Sequence, residues 1–374
     1  MAYRRLKRIL LTGDTVGGVW TFTLELAEGL IRRGLEVCLA TFGPSAADFQ
    51  IRSARAMTGL TWIHHSSKLE WMEAPWPDIK RAGQWLTGVA LTERPDLIHM
   101  NTLCHGDLPW KIPVVTTVHS CVASWWAAVK QSPLPPEWRH YQQVVESSLK
   151  SATIITAPSH VALAAIGKHY AIEIESGFAI YNGRRPGGFR IQEKKPLILS
   201  VGRLWDEAKN AKILAGLAPQ LSWPVFLAGD PRSPNGDETV LPGCRLLGHL
   251  SPVELSEWYA RAAIYVSPAR YEPFGLSVLE AAMSGCALVL GDIASLREIW
   301  QDAAAFVAPN DADALKTVLQ RLMHDSIYRA KMSRRALSRA SEFTESRMVT
   351  EYLCAYQSAL AKHGRHTRRH ACAS

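Results

Sequence analysis

The chain has 374 residues, 47% of them hydrophobic and 20% charged, with a formal net charge of +8. That length fits two domains of about 150–200 residues each rather than one core, and no apolar run approaches the roughly 20 residues that a membrane-spanning helix needs. The seven cysteines (38, 104, 121, 244, 286, 354 and 372) are scattered and form no Cys-x-x-Cys pair, which argues against a disulfide framework or a structural zinc and for a reducing, cytoplasmic setting.

The chain opens on "MAYRRLKRILLTGD", whose apolar run is too short for a signal peptide and is followed by no small-residue cleavage site. "RILLTG" (8–13) reads as a buried strand and "VWTFTLELAEGLIRRG" (19–34) as a helix stopped by Gly34. "LEVCLATFG" (35–43), "PDLIHMN" (95–101), "IPVVTTVHS" (112–120) and "ATIITAPS" (152–159) are further strands, and "PEWRHYQQVVESSLKS" (136–151) is a helix between the last two. "YNGRRPGGFRIQEKKP" (181–196) is rich in Gly, Pro and charge and reads as an interdomain linker.

The alternation then restarts with strands at 197–203, 223–230, 244–250, 262–268, 286–292 and 303–308. Helices at 311–325, 326–343 and 344–364 close the chain. Short buried strands alternating with helices predict parallel sheets covered on both faces. The expected fold class is therefore α/β, with two doubly wound domains. The expected boundaries are 1–182 and 196–343, with a linker at 183–195 and a final helix plus basic tail at 344–374. Ligands of such sheets bind outside the carboxyl ends of the strands.

Several residues stand at those ends. Gly17 and Gly18 in "LLTGDTVGGVWTF" lie between the first strand and helix, where backbone N–H groups can approach an anion; a plain tight turn explains them equally well, and the dinucleotide pattern G-x-G-x-x-G is not met. His119 closes the strand "IPVVTTV" and is either a structural histidine or a polar contact to a substrate. Arg203 and Lys209 in "SVGRLWDEAKN" follow the first strand of the second half, where a guanidinium and an ammonium suit phosphate oxygens; two exposed charges on a solvated loop are the alternative. "YEPFGLSVLEAAMSG" (271–285) is the most specific stretch. Glu272 precedes the helix mouth, the N–H groups of Phe274, Gly275 and Leu276 are donors of that helix start, and Glu280 lies about one turn inside an apolar helix. A carboxylate there needs partners: a vicinal diol such as a ribose supplies two hydroxyl donors, and an ordinary ion-pair network around Glu272 and Glu280 is the alternative.

Eight of the thirteen tryptophans fall between residues 62 and 138. Most read as core, but "SCVASWWAAV" (120–129) reads as the place where an indole would stack on a sugar face. The basic clusters at Arg4, Arg5, Lys7 and Arg8 and at "KHGRHTRRH" (362–370) fit a solvated surface, or peripheral attraction to an anionic membrane face or a polyanionic substrate. Nothing matches a nucleic-acid-binding motif.

Taken in order, "GDTVGGV", "VVTTVHS", "IYNGR", "VGRLWDEAKN" and the Glu-x7-Glu block "EPFGLSVLEAAMSG" resemble the retaining glycosyltransferases of family 4 with the GT-B fold, over nearly the whole chain. The resemblance implies two Rossmann-like domains facing across a cleft. It implies an acceptor domain first and a donor domain second, with the last helix crossing back. It implies that Arg203, Lys209, Gly17 and Gly18 bind a donor diphosphate and that Glu280 holds the ribose. It also implies that Glu272, Phe274, Gly275 and Leu276 contact the donor sugar, and that His119 and Glu272 act at the reacting centre. The partners would be a nucleoside-diphosphate-sugar and a glycan, lipid-linked or small-molecule acceptor, with no metal or other cofactor. The chain departs from the family where Trp20 follows Gly17-Gly18-Val19, where Ala294 and Ser295 replace a glycine, and where "NGRR" replaces an apolar residue and an aspartate.

A sugar-nucleotide epimerase on the same architecture, a nicotinamide-dependent oxidoreductase and a non-catalytic nucleotide-sugar sensor are the competing readings. The first sits badly with the Glu-x7-Glu block, the second lacks its fingerprint, and the third leaves a full set of charged residues without a task.

Overall fold

The computed structural model describes residues 6–173, 177–234 and 236–371, with side chains to residue 365. Arg4, Arg5 and the basic side chains of the tail beyond 365 lie outside the described residues. In chain order the strands are β1 (Arg8–Asp14), β2 (Glu36–Gly43), β3 (Leu60–Ser66), β4 (Leu97–Met100), β5 (Val114–Thr117), β6 (Ile154–Ala157), β7 (Phe178–Ala179), β8 (Lys195–Val201), β9 (Val225–Ala228), β10 (Arg245–Gly248), β11 (Ala262–Ser267), β12 (Ala287–Gly291) and β13 (Ala305–Val307). The α-helices are α1 (Gly18–Arg32), α2 (Asp48–Ala56), α3 (Trp76–Glu93), α4 (Val122–Val129), α5 (Arg139–Ser151), α6 (His160–Tyr170), α7 (Ala211–Leu217), α8 (Pro252–Arg261), α9 (Leu276–Met283), α10 (Ala294–Trp300), α11 (Ala312–His324), α12 (Ser326–Ala340) and α13 (Glu345–Ala371). No described helix is long and apolar enough to cross a membrane.

The chain forms two compact units. Unit 1 holds residues 1–124, 133–183 and 345–374; unit 2 holds 125–132 and 184–344. The break at 183/184 falls beside the boundary expected from the sequence. Residues 184–195 of the stretch expected as a linker are instead part of unit 2, where Arg184 N–H donates to the Phe343 carbonyl at 3.1 Å. Residues 125–132 also belong to unit 2, which no sequence signal announced.

Unit 1 carries a seven-stranded sheet in the order β3-β2-β1-β4-β5-β6-β7, parallel throughout. Unit 2 carries a six-stranded sheet in the order β10-β9-β8-β11-β12-β13, also parallel. The central strands are covered on both faces and read as unbroken apolar runs: Ile9, Leu10 and Leu11 of β1 and Ile264, Tyr265 and Val266 of β11 are fully buried. Strand order reverses between β1 and β4 in unit 1 and between β8 and β11 in unit 2. Such reversals open a crevice at the carboxyl ends of the strands.

Helix α13 belongs to unit 1 and packs on α1. Gly29 of α1 makes this close approach: a Cβ there would meet Glu345 Oε1 at 2.0 Å and Val349 Cγ2 at 2.4 Å. Arg32 pairs with Glu345 at 2.7 Å across the same contact.

Candidate functional site

In unit 1 the carboxyl ends of β1, β4 and β5 are tied by side chains. The loop after β1 folds on Asp14, whose Oδ1 accepts Val16 N–H at 2.8 Å. Gly17 follows with φ 81° as the N-cap of α1, a conformation that suits glycine. Gly17 and Gly18 are both exposed. Asn101, just past β4, donates its backbone N–H to Thr12 Oγ1 at 2.7 Å and its Nδ2 to the Thr12 carbonyl at 2.9 Å. His119, two residues past β5, places Nε2 2.8 Å from Asn101 Oδ1. Because Nδ2 must face the carbonyl of Thr12, the atom facing His119 is the amide oxygen, and Nε2 must carry the proton. The neutral ring then keeps Nδ1 as an acceptor. Burial lowers the His119 pKa to about 3, so the neutral form prevails. Phe22 packs edge-on against the ring at 4.4 Å between centroids.

Behind these residues lies a buried polar chain. His99 bonds Thr117 Oγ1 at 2.6 Å and the Tyr356 hydroxyl at 2.8 Å. Thr117 in turn meets Thr156 at 2.5 Å and the Tyr352 hydroxyl at 3.2 Å. The final helix is thereby bonded to the sheet under His119.

In unit 2 the loop after β8 is drawn in tightly. Gly229, at the end of β9, has φ 131°, and a Cβ there would sit 1.8 Å from the Gly202 carbonyl oxygen. Only glycine lets the two strand ends approach this closely. Arg203 follows at once. Its Nη2 pairs with Asp206 Oδ2 at 2.7 Å, and its guanidinium lies over the Trp205 ring. Asp206 is buried and also accepts Ala208 N–H at 3.0 Å and the Trp125 indole N–H at 2.9 Å. Burial pushes the Asp206 carboxyl up, but Arg203, Lys209 and these hydrogen bonds outweigh it and hold it below the usual range.

Lys209 extends from the short 3-10 turn Glu207–Lys209 to Glu272, Nζ to Oε2 2.5 Å. Glu272 stands in the loop after β11 and its carbonyl accepts the Ser295 hydroxyl at 2.6 Å. Asn210 pins the same region by donating to the carbonyls of Pro268 at 3.0 Å and Pro309 at 2.6 Å. Gly275, with φ 89°, caps α9, and Leu276 starts that helix. The Phe274 side chain is buried against Phe343, so only its backbone is available to a ligand.

Helix α9 is apolar almost all round, with Val278, Leu279, Ala281 and Ala282 fully buried. Glu280 sits among them, its side chain 12% exposed, with Oε1 3.2 Å from Nε of Arg184. Burial raises the Glu280 pKa, while Arg184 opposes the rise.

The structure therefore collects Arg203, Lys209, Glu272, Phe274, Gly275, Leu276 and Glu280 at the carboxyl edge of unit 2, and Gly17, Gly18 and His119 at that of unit 1. The sequence did not announce Asp206, Ser295, Asn101 or Arg184 as partners, because each acts through a contact distant along the chain. Trp125 and Trp126 lie half-buried on α4 rather than on a loop, with the Trp125 N–H donated to Asp206 and that of Trp126 to Ser132 at 3.1 Å.

Comparison with known proteins gives the family. The family described as "Glycosyltransferase Family 4" matches residues 16–186, and "Glycosyl transferases group 1" matches residues 185–339. The chain belongs to these glycosyltransferases.

The glycosyltransferase is 26% identical over 393 residues to glycogen synthase of Mycobacterium tuberculosis, covering 92% of each chain. It is 34% identical to O-antigen chain mannosyltransferase B of Escherichia coli over 113 residues, a match that spans 30% of each chain. Among solved structures, HepE of Anabaena in complex with UDP-glucose matches with a TM-score of 0.73 at 16% identity, covering 95% of this chain and 100% of that one. The shared fold is GT-B. As a member of this family, the enzyme transfers a sugar from a nucleotide-sugar donor.

Proposed function

We propose that the glycosyltransferase retains the anomeric configuration, needs no metal, and builds a glycan, exopolysaccharide or glycolipid. The observation that carries the donor assignment is the placement of two cations, Arg203 and Lys209, on one loop at the β8 switch point, with Glu272 directly against Lys209. Fixed positive charge at that point stabilises a departing diphosphate without reorganising during reaction. Glu280 takes the ribose hydroxyls. Glu272 and the backbone of Phe274, Gly275 and Leu276 take the transferred sugar. In unit 1, His119 offers its Nδ1 lone pair to a sugar hydroxyl, and Gly17 and Gly18 offer backbone N–H groups to phosphate.

In the reaction the bond from the anomeric carbon to the diphosphate breaks and a bond from the acceptor oxygen forms on the same face. The acceptor proton leaves with the diphosphate. The sugar passes through a cationic, oxocarbenium-like state that the Glu272 carboxylate favours. No covalent intermediate is required. HepE was crystallised with UDP-glucose, which makes a uridine nucleotide the first donor to test. Two of the relatives are named for glycans, glycogen and an O-antigen chain, which supports a glycan acceptor over a small soluble one.

The deciding experiment is thermal unfolding with UDP, GDP, ADP and their sugar conjugates, first with a chelator and then with magnesium. Saturation at hundreds of times the dissociation constant stabilises by roughly 3–4 kcal/mol. A shift with one nucleotide in chelator supports the reading and names the donor class. A shift only with magnesium overturns metal independence. The configuration of the product, read by NMR, tests retention.

A further inference from the structure

The carboxylate given to ribose already has a cation on it. Arg184 Nε lies 3.2 Å from Glu280 Oε1, with the two side chains 17% and 12% exposed. Arg184 is held on both sides: its backbone N–H bonds the Phe343 carbonyl, and its guanidinium lies over the Phe189 ring at 5.5 Å. The pair therefore joins the first residue of the second segment of unit 2 to the middle of α9.

We propose that Arg184 is a positioning residue for nucleotide recognition, one that keeps Glu280 ionised and fixes its orientation so that the carboxylate accepts the hydroxyls of a ribose diol. The inference rests on the ribose assignment of Glu280 made above. The chemistry is direct. An ionised carboxylate is acceptor-only and offers about four lone-pair sites, so a guanidinium on Oε1 leaves room for a diol; a protonated carboxyl becomes a donor and meets a hydroxyl poorly. An apolar helix drives a carboxyl toward the protonated form.

The groups around Glu280 leave Arg184 as its counter-ion. Tyr259 from α8 and Tyr265 from β11 are buried phenols whose own pKa values are raised, first by burial; the Tyr259 hydroxyl also favours the ionised form of Glu280, after Arg184, but it is a neutral donor and no counter-ion. The Tyr265 hydroxyl is directed to Ser277 at 2.8 Å. The Lys194 ammonium, at the far end of α9, is taken by the carbonyls of Tyr259, Ala260 and Ser284. Strand β12 brings only apolar residues and glycine. On α12, Arg335 and Arg339 are paired to Asp302 and Glu342. Among the described residues Glu280 has no other ion-pair partner.

The test measures binding of UDP, GDP and ADP, and of their 2′-deoxy counterparts, to the wild type and to Arg184→Met, Arg184→Gln, Arg184→Lys and Glu280→Gln, across mildly acidic to mildly alkaline pH. Arg184→Met is expected to weaken the ribonucleotide about tenfold or more at neutral pH, the worth of hydrogen bonds to a charged group. The loss grows as pH falls, because the carboxyl without its cation takes up a proton at higher pH. The deoxynucleotide is barely affected, and Arg184→Lys restores most of the affinity. In a Glu280→Gln background, Arg184→Met has no further effect. Arg184→Gln carries the same expectations should Arg184→Met fail to fold.

Equal losses for ribo and deoxy forms, or an undiminished loss in the Glu280→Gln background, overturn the inference and place Arg184 on phosphate or base instead. If no nucleotide binds the wild type, or Glu280→Gln binds as well as the wild type, it is the ribose assignment that fails.

Discussion

The ammonium of Lys209 lies 2.5 Å from a carboxylate oxygen of Glu272, so each is the counter-ion of the other. The residue proposed for the leaving group and the residue proposed for the sugar are thus one electrostatic unit. Arg203 is neutralised in the same way by Asp206. A diphosphate entering this loop exchanges partners with groups already in place, which avoids stranding either cation in a partly buried position.

Replacing Lys209 by Ala is expected to lower kcat/KM by at least about a hundredfold, the range seen when one donor to developing charge is removed. The near-UV circular dichroism should stay that of the wild type. Full activity in that variant would remove the diphosphate assignment.

Asp206 joins three elements: it accepts from Trp125, pairs with Arg203 and caps the turn at Ala208. Asp206→Ala should destabilise the protein by about 1–3 kcal/mol through unsatisfied buried donors. Its carboxyl is held below the usual range, so its contribution is present above the unfolded-state value near pH 4 and is lost as pH falls through the lower folded value. Denaturant titrations at acid pH should therefore show a shallower decline in Asp206→Asn than in the wild type.

His99 has the opposite chemistry and the same direction. Burial, with His119 adding to it, lowers its pKa to about 3, and the folded ring stays neutral. Below about pH 6.5 the unfolded chain takes up the proton that the folded chain refuses, so stability falls between that value and the folded one. The slope expected from this residue is about 1.4 kcal/mol per pH unit. His99→Gln should be less stable at pH 7, yet lose less on acidification. Equal slopes in urea titrations would refute the assignment of a neutral His99.

Gly229→Ala places a methyl group 1.8 Å from the Gly202 carbonyl, at a φ of 131° that other residues rarely adopt. The loop bearing Arg203 would have to move. A loss of roughly 2–3 kcal/mol is expected from overpacking and strain together. Nucleotide affinity should fall as well, although residue 229 is not proposed to touch the nucleotide. A variant with unaltered melting temperature and affinity would contradict the tight apposition of the two strand ends.

Much of this was legible in the sequence, and the reasons are specific. The central strands are buried on both faces and so announce themselves as apolar runs, as in "RILLTG" and "LILSVG". Strand β3, "LTWIHHS", is an edge strand with partly exposed residues, and its two histidines break the apolar signal. Strand β7 has only two residues and no period to read. The Glu-x7-Glu spacing located both carboxylates because one short continuous stretch holds them, Glu272 in the loop after β11 and Glu280 on α9. The cations against them could not be located that way. Arg184 and Glu280 meet through the fold of unit 2, and Asp206 finds Trp125 through a segment that leaves unit 1 and returns to it. A resemblance to family motifs names positions; it does not name the neighbours that set their charge.

Unit 1 is assembled from both ends of the polypeptide, with residues 184–344 of unit 2 between them. On the ribosome, unit 2 is therefore complete before unit 1 has received Tyr352 and Tyr356, the residues whose hydroxyls bond Thr117 and His99. Domains ordinarily fold in the order of their synthesis. Here the earlier-made half must wait, with His99 and the face of α1 around Gly29 uncovered, until the last helix emerges. Nascent chains stalled short of residue 345 should hold a protease-resistant unit 2 and a protease-sensitive unit 1, the reverse of their order in the message.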